Sequence, residues 1–212
     1  MHEETTTKEK ILKKVRKALI QKSVNAINID FDSDIFLKAK EPLEIIFAQQ
    51  LTKLNGKFIY CEDENELCKN IFLLIEENKW EQIFCFEKKI KDILKKSDIP
   101  FSENEKDIRH ANVGISLCEF LAARTGSVFV TSKQSSGRRL PAFANYHIVI
   151  AYSSQLVYTV KEALNGIKKK YENNLPSMIV NITGPSRTAD IEKTLVQGAH
   201  GPKEIYIFLV DE

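Results

Sequence analysis

The chain has 212 residues, the length of one large domain or of one domain with an extension. Its 43% apolar content supports a full core without disulfides or metal. With 31 Lys and Arg against 29 Asp and Glu, the net charge is +2, which argues against a dedicated nucleic-acid binder.

No stretch reaches the roughly 18 apolar residues needed to span a bilayer, and the N-terminus lacks the apolar segment of a signal peptide. A cytoplasmic protein with no membrane span is therefore expected. Cys61, Cys68, Cys85 and Cys118 form no C-x-x-C pair and no zinc or iron–sulfur spacing, and three of them read as reduced core thiols. His2, His110, His147 and His200 do not cluster in sequence either. No metal and no bound cofactor is expected.

Residues 5–22 place Ile11, Leu12, Val15, Ala18 and Leu19 on one face of a helix and lysines on the other. Residues 23–40 show no period and read as a linker, so residues 1–40 form an N-terminal extension and residues 41–212 the main domain. Pro42 suits the first turn of a helix to about Leu54. Phe58–Cys61 is then a strand, Asp63 or Asn65 caps a helix through Ile75, and Ile83–Phe86 is a second strand before a lysine-rich helix to about Lys96. Alternating strands and helices indicate βαβ units and a mostly parallel sheet.

After a polar crossing at residues 99–110, strands are expected at Val113–Ser116, Val128–Thr131 and Tyr146–Tyr152. A short helix is expected from Cys118 to Arg124, and another from Ser154 to Asn173 with an interruption near Gly166. Met178 to Ile182 reads as a short buried strand, broken by Gly184-Pro185. Ser186 or Thr188 is then expected to cap a helix that carries Asp190 and Glu192 in its first turns and ends at Gly198. Ile205–Val210, almost continuously apolar, reads as a strand buried on both faces.

Three turns carry polar groups suited to anionic oxygen. Gly184-Pro185-Ser186-Arg187-Thr188-Ala189-Asp190 combines backbone N–H groups, two hydroxyls and a guanidinium. Thr125-Gly126-Ser127 and Ser136-Gly137-Arg138-Arg139 add hydroxyls, glycines for close approach and a second guanidinium. The expected ligand set is Thr125, Gly126, Ser127, Gly137, Arg138, Gly184, Pro185, Ser186, Arg187, Thr188 and Asp190, gathered at strand ends, with the Gly184–Asp190 turn beyond the carboxyl end of its strand and Thr125-Gly126-Ser127 preceding its own. The competing role for Arg187 is an ion pair with Asp190 or Glu192. His200, between glycines, is the best candidate for a proton acceptor; its competing role is a helix C-terminal histidine. His147, inside a strand, reads as a satisfied core residue.

The order of Ala123-Arg124-Thr125-Gly126-Ser127, Ser136-Gly137-Arg138, His147-Ile148, Gly184 to Glu192, and Gly198-x-His200-Gly201-Pro202 resembles the LUD domain family, in its lactate utilization protein C branch. The resemblance covers residues 40–212. It implies an open Rossmann-like α/β sheet flanked by helices, similar to the sugar-isomerase and CoA-transferase (NagB/RpiA-like) group. It also implies a part in oxidising L-lactate to pyruvate beside iron–sulfur partner proteins. With no cluster motif of its own, the chain would be the non-cluster component, binding a small carboxylate or phosphate, and a subunit of an L-lactate dehydrogenase complex if it is an enzyme. Two alternatives remain: a stand-alone enzyme of the same fold group, such as an ATP- and folate-using cyclo-ligase, or a non-catalytic assembly module. The absence of G-x-G-x-x-G argues against an ordinary NAD site.

Overall fold

Side-chain hydrogen bonds cap the starts of the helices that begin at Thr7, Glu64 and Val160. The computed structural model describes residues 6–20, 38–137, 139–191, 194–198 and 200–212, with backbone alone for residues 19–20, 188–191 and 194–197. The chain divides into two units between Lys38 and Ala39. In the first, helix α1 (Thr7–Ile20) opens with a capping box: Thr6 N–H donates to Glu9 Oε2 at 2.9 Å, and Glu9 N–H donates to Thr6 Oγ1 at 3.4 Å. Most of the linker reading, residues 23–37, lies outside the described residues.

In the second unit, helix α2 (Leu43–Lys53) follows Pro42 and leads to strand β1 (Lys57–Cys61). Helix α3 (Glu64–Asn78) is capped by Asp63, whose carboxylate accepts from the Asn65 and Glu66 N–H groups, both at 2.8 Å. Strand β2 (Ile83–Cys85), helix α4 (Lys88–Lys96) and a 3₁₀ turn (Glu105–His110) precede strand β3 (Val113–Leu117). Then come β4 (Phe120–Ala122), a 3₁₀ turn (Ala123–Thr125), β5 (Ser127–Thr131), the single-turn helix α5 (Leu140–Phe143) and β6 (Tyr146–Tyr152). The chain closes with β7 (Leu156–Val157), α6 (Val160–Tyr171), β8 (Ile179–Ile182), β9 (Arg187–Ile191), β10 (Thr194–Gln197) and β11 (Glu204–Val210).

Five strands pair in parallel in the order β1-β11-β6-β3-β2. A second, mixed sheet has the order β7-β4-β5-β8, and β9 pairs with β10 as a separate antiparallel hairpin. The Rossmann-like reading of a mostly parallel α/β sheet holds. The central strands β11 and β6 show why they are apolar at nearly every position. Tyr206 and Phe208 pack with Ile148 and Ile150 against Leu67, Ile71, Ile90 and Leu94 of α3 and α4. Ile207 and Leu209 pack with Val149 and Ala151 against Phe47 and Leu51 of α2 and against Leu121, Val128 and Val130 of the second sheet. Successive side chains enter opposite cores, so both must be apolar. Each fully buried Leu, Ile or Phe contributes about 1.5–3 kcal/mol. The outer face of the second sheet is covered by Ala163 and Ile167 of α6, against Ala122 and Phe129.

Four expectations are corrected. The segment after Pro185 is the hairpin β9–β10, not a helix. Its β-branched residues (Thr188, Ile191, Thr194, Val196) suit paired strands, and cross-strand pairing outweighed the capping signals. Residues 118–124 are a strand and a 3₁₀ turn, because Leu121 pairs with Val128 in the second sheet and the extended chain delivers Glu119 to a buried network. β8 is an edge strand with exposed and half-buried residues alternating, rather than a buried one. Helix α6 begins at Val160 and runs through Gly166 unbroken, the glycine allowing the Phe120 ring to lie against the helix.

Candidate functional site

Arg187 and His200 line one cleft of about 680 Å³. Its walls come from three places: Arg139, Pro141 and Ala142 at α5; Met178 to Gly184 along β8; and Ser186, Arg187 and the loop His200-Gly201-Pro202 before β11. No described acidic side chain lines it. Two main-chain hydrogen bonds hold its floor together: Ser186 N–H to the Pro202 carbonyl at 2.8 Å, and Gly198 N–H to the Ser186 carbonyl at 3.1 Å. Arg187 is exposed, and its guanidinium donates to the carbonyl of Leu54, the C-cap of α2. That bond fixes one end of the fork; a guanidinium carries five N–H donors, so a ligand can engage others. Gly184, with φ of +79°, has to be glycine: a Cβ there would lie 3.0 Å from the Leu54 oxygen.

The cleft is not where an open parallel sheet ordinarily binds. α5 precedes β6 and Pro202 precedes β11, so the cleft lies at the amino ends of those strands. The expectation of carboxyl ends holds only for β8, which ends at Ile182, two residues before Gly184. At the carboxyl ends of β1, β2 and β6 the polar groups satisfy one another. Lys89 sits 3.6 Å from the Tyr152 ring centroid and 3.3 Å from Glu64, to which the Tyr152 hydroxyl donates at 3.2 Å.

The expected ligand residues separate into groups. Gly184, Ser186, Arg187 and His200 converge on the cleft. Pro185 is buried beside it and does not line it. Thr125, Gly126 and Ser127 lie behind the wall. Ser127 Oγ donates to Thr125 Oγ1 at 2.7 Å and shares a 2.9 Å hydrogen bond with Thr183, itself a lining residue. Gly126 has φ of +60°, and a Cβ there would lie 2.7 Å from the Leu51 backbone nitrogen. Its glycine is needed for helix packing, not for ligand approach. Gly137 lines a second cleft of about 330 Å³ with Phe86, Ser132 and Ser136. Arg138 lies outside the described residues, and the side chains of Thr188 and Asp190, with the proposed Arg187 ion pairs, outside the described side chains.

Arg139, the alternative to Arg138 for the second guanidinium, lines both clefts. It is held by Glu105, with Nη1 donating to Oε2 at 3.4 Å and Nη2 to the main-chain oxygen at 3.3 Å. Pro141, in the first turn of α5, was the available signal: it starts the helix and puts Arg139 at the N-cap.

Three ionisable side chains, lining neither cleft, are buried in the core. Glu87 accepts from Ser136 Oγ at 2.5 Å and from its N–H at 3.2 Å, and burial raises its carboxyl above the ordinary range against the effect of these bonds. Glu119 accepts from Thr131 at 2.9 Å, Tyr171 at 2.6 Å and Lys170 at 2.7 Å, which ties β4 to β5 and α6. His147 shares a 2.8 Å hydrogen bond with Ser116 through Nε2, and burial lowers its pKa to about 4. The core reading of His147 holds in part: its Nδ1 is buried without a hydrogen-bond partner among the described residues. Among the described residues no three His, Cys, Asp or Glu side chains are grouped to hold a metal, and no helix is long and apolar enough to cross a membrane.

Known proteins bear on this site in two ways. A solved DUF162 family protein from Deinococcus radiodurans superposes with a TM-score of 0.59 over 79% of this chain and 96% of its own, at 16% identity, a likeness of fold. Lactate utilization protein C of Bacillus subtilis (strain 168) is 39% identical over 112 residues, covering 51% of this chain and 47% of that protein. The protein of the same name from Geobacillus thermodenitrificans is 38% identical over 112 residues. The chain spans about half the length of these curated relatives. The family model of the LUD domain matches residues 45–210, which includes every part of the cleft, and the chain belongs to the LUD domain family.

Proposed function

We propose that this chain is the non-cluster component of an L-lactate-oxidising system. It acts beside iron–sulfur partner proteins and holds a small carboxylate or phosphate in the cleft between α5, β8 and the His200 loop. The observation that carries the anion reading is the convergence of Arg139, Arg187 and His200 on a cleft with no described acidic lining. A guanidinium fork matches a carboxylate or phosphate in charge and geometry. The lactate reading rests on the likeness to proteins named lactate utilization protein C. If chemistry occurs in the cleft, His200 accepts the hydroxyl proton of a 2-hydroxy acid while Arg187 holds its carboxylate, and the C2 hydrogen leaves with its electron pair as hydride to an acceptor on a partner chain.

The test is growth on L-lactate as sole carbon source after deletion of the gene. The proposal expects growth to fail, to return with the wild-type gene and not with Arg187→Ala made at equal level. Normal growth of the deletion strain would refute it.

A further inference from the structure

The cleft is much larger than a 2-hydroxy acid. Its roughly 680 Å³ is the share of liquid volume taken by about twenty waters. Residues of both alternating sets of β8 line it, Val180 and Ile182 from one and Asn181 from the other, so it runs along the strand's edge. β8 ends the second sheet, and among the described residues β5 is its one neighbour.

The phase of that pairing is fixed. Ser132 N–H donates to the Met178 carbonyl at 3.0 Å, one step beyond the Thr131–Ile179 pair. In an antiparallel ladder the bonded positions alternate, so Met178, Val180 and Ile182 turn their main chain to β5. Ile179 and Asn181 turn their N–H and C=O groups outward, and of the two Asn181 lines the cleft. Facing them are apolar Pro141 and Ala142, and at the carboxyl end of β8 stand Arg187 and His200. An unpaired edge, an apolar wall and a cationic end in a row suit one kind of occupant.

We infer that the cleft takes the extended C-terminal end of a partner protein as an added strand, parallel to β8, with its terminal carboxylate at Arg187 and His200. This rests on the reading of that end as the anion site and names the anion's carrier. Peptide N–H groups pair with the outward carbonyls of Ile179 and Asn181, and a peptide carbonyl accepts from Asn181 N–H. Alternate peptide side chains then lie against Pro141 and Ala142.

The test uses the whole chain and a fluorescein-labelled hexapeptide, Lys-Val-Thr-Ile-Thr-Val, followed by anisotropy. The free-acid peptide is expected to bind, and its C-terminal amide ten- to a hundredfold more weakly, through loss of the charge-assisted bonds. N-methylation along the peptide is expected to weaken binding at every second residue. Asn181→Pro removes one outward donor at an edge where proline is tolerated, and is expected to weaken binding three- to tenfold. Asn181→Ala keeps that donor and is expected to lose less than Asn181→Pro does. No binding up to millimolar peptide, a flat N-methyl scan, or equal binding by Asn181→Pro overturns the inference. Inorganic phosphate, titrated in parallel, separates the two levels. Phosphate binding that depends on Arg187 without peptide binding sinks the inference alone. Phosphate affinity unaltered in Arg187→Ala sinks the anion reading and the inference with it.

Discussion

Gly126→Ala separates packing from ligand binding at the Thr125–Ser127 turn. At φ of +60°, an L side chain costs about 1–2 kcal/mol. The new methyl would also stand 2.7 Å from the Leu51 nitrogen, inside the backbone of α2, where no side-chain rotation relieves it. Overpacking of this kind costs about 1–3 kcal/mol. The two effects together predict a loss of about 2–5 kcal/mol, much of a typical domain's stability. Urea unfolding followed by Trp80, the single tryptophan, buried against Tyr146 and Tyr206, measures it. Gly126→Asn should recover the backbone part and not the collision, so it should remain at least 1 kcal/mol below wild type. A loss under about 0.5 kcal/mol in Gly126→Ala, with phosphate affinity abolished, would refute the packing account and return Gly126 to the ligand site.

Other perturbations follow from the buried polar groups. His147 has its pKa lowered to about 4 by burial, so below pH 6.5 the unfolded chain binds a proton that the folded one refuses. Stability should be full above pH 6.5 and fall as pH drops from 6.5 to 4, by about 3 kcal/mol in all. His147→Gln, which keeps a partner for Ser116, should flatten that slope, and an unchanged slope would count against the assignment. Glu119→Ala strands Lys170, Tyr171 and Thr131 and should cost about 2–4 kcal/mol by thermal unfolding. Glu87→Gln removes a buried charge while keeping an acceptor for Ser136, so stability at pH 7 should hold or rise by up to about 1 kcal/mol; a loss above 2 kcal/mol would show that the charge is needed. Alkylation at pH 8 should reach half-buried Cys68 well before Cys85 and Cys118, whose thiols burial pushes upward, that of Cys85 to about 12.

The parallel sheet was legible because its strands and helices carry strong, separate signals. Ile205–Val210 is apolar at every position since it faces two cores, and Asp63 announces the start of α3. The second sheet was harder to read. β4 and β7 are two or three residues long, and their pairing is decided by partners distant in sequence. The hairpin was misread because Ser186, Thr188, Asp190 and Glu192 match a helix start, whereas the pairing of Thr188 with Val196 and of Ile191 with Thr194 is not visible in local sequence. Arg187 and His200 line one cleft all the same, since motif order does not depend on whether the segment between them coils or extends. Arg138 and Arg139 were both legible as a fork, and the ligand set took Arg138 alone, because adjacent arginines differ only in which one Pro141 places at the helix start.

The central claim is that the cleft holds an anion through Arg187. Calorimetric titration of the wild type with inorganic phosphate and with L-lactate, repeated with Arg187→Ala, tests it most directly. The account predicts that at least one of the two binds, that affinity falls by about 1–3 kcal/mol in the variant, and that Arg187→Lys recovers part of the loss. Equal affinity in a folded Arg187→Ala would contradict it and leave that guanidinium only as the cap on Leu54.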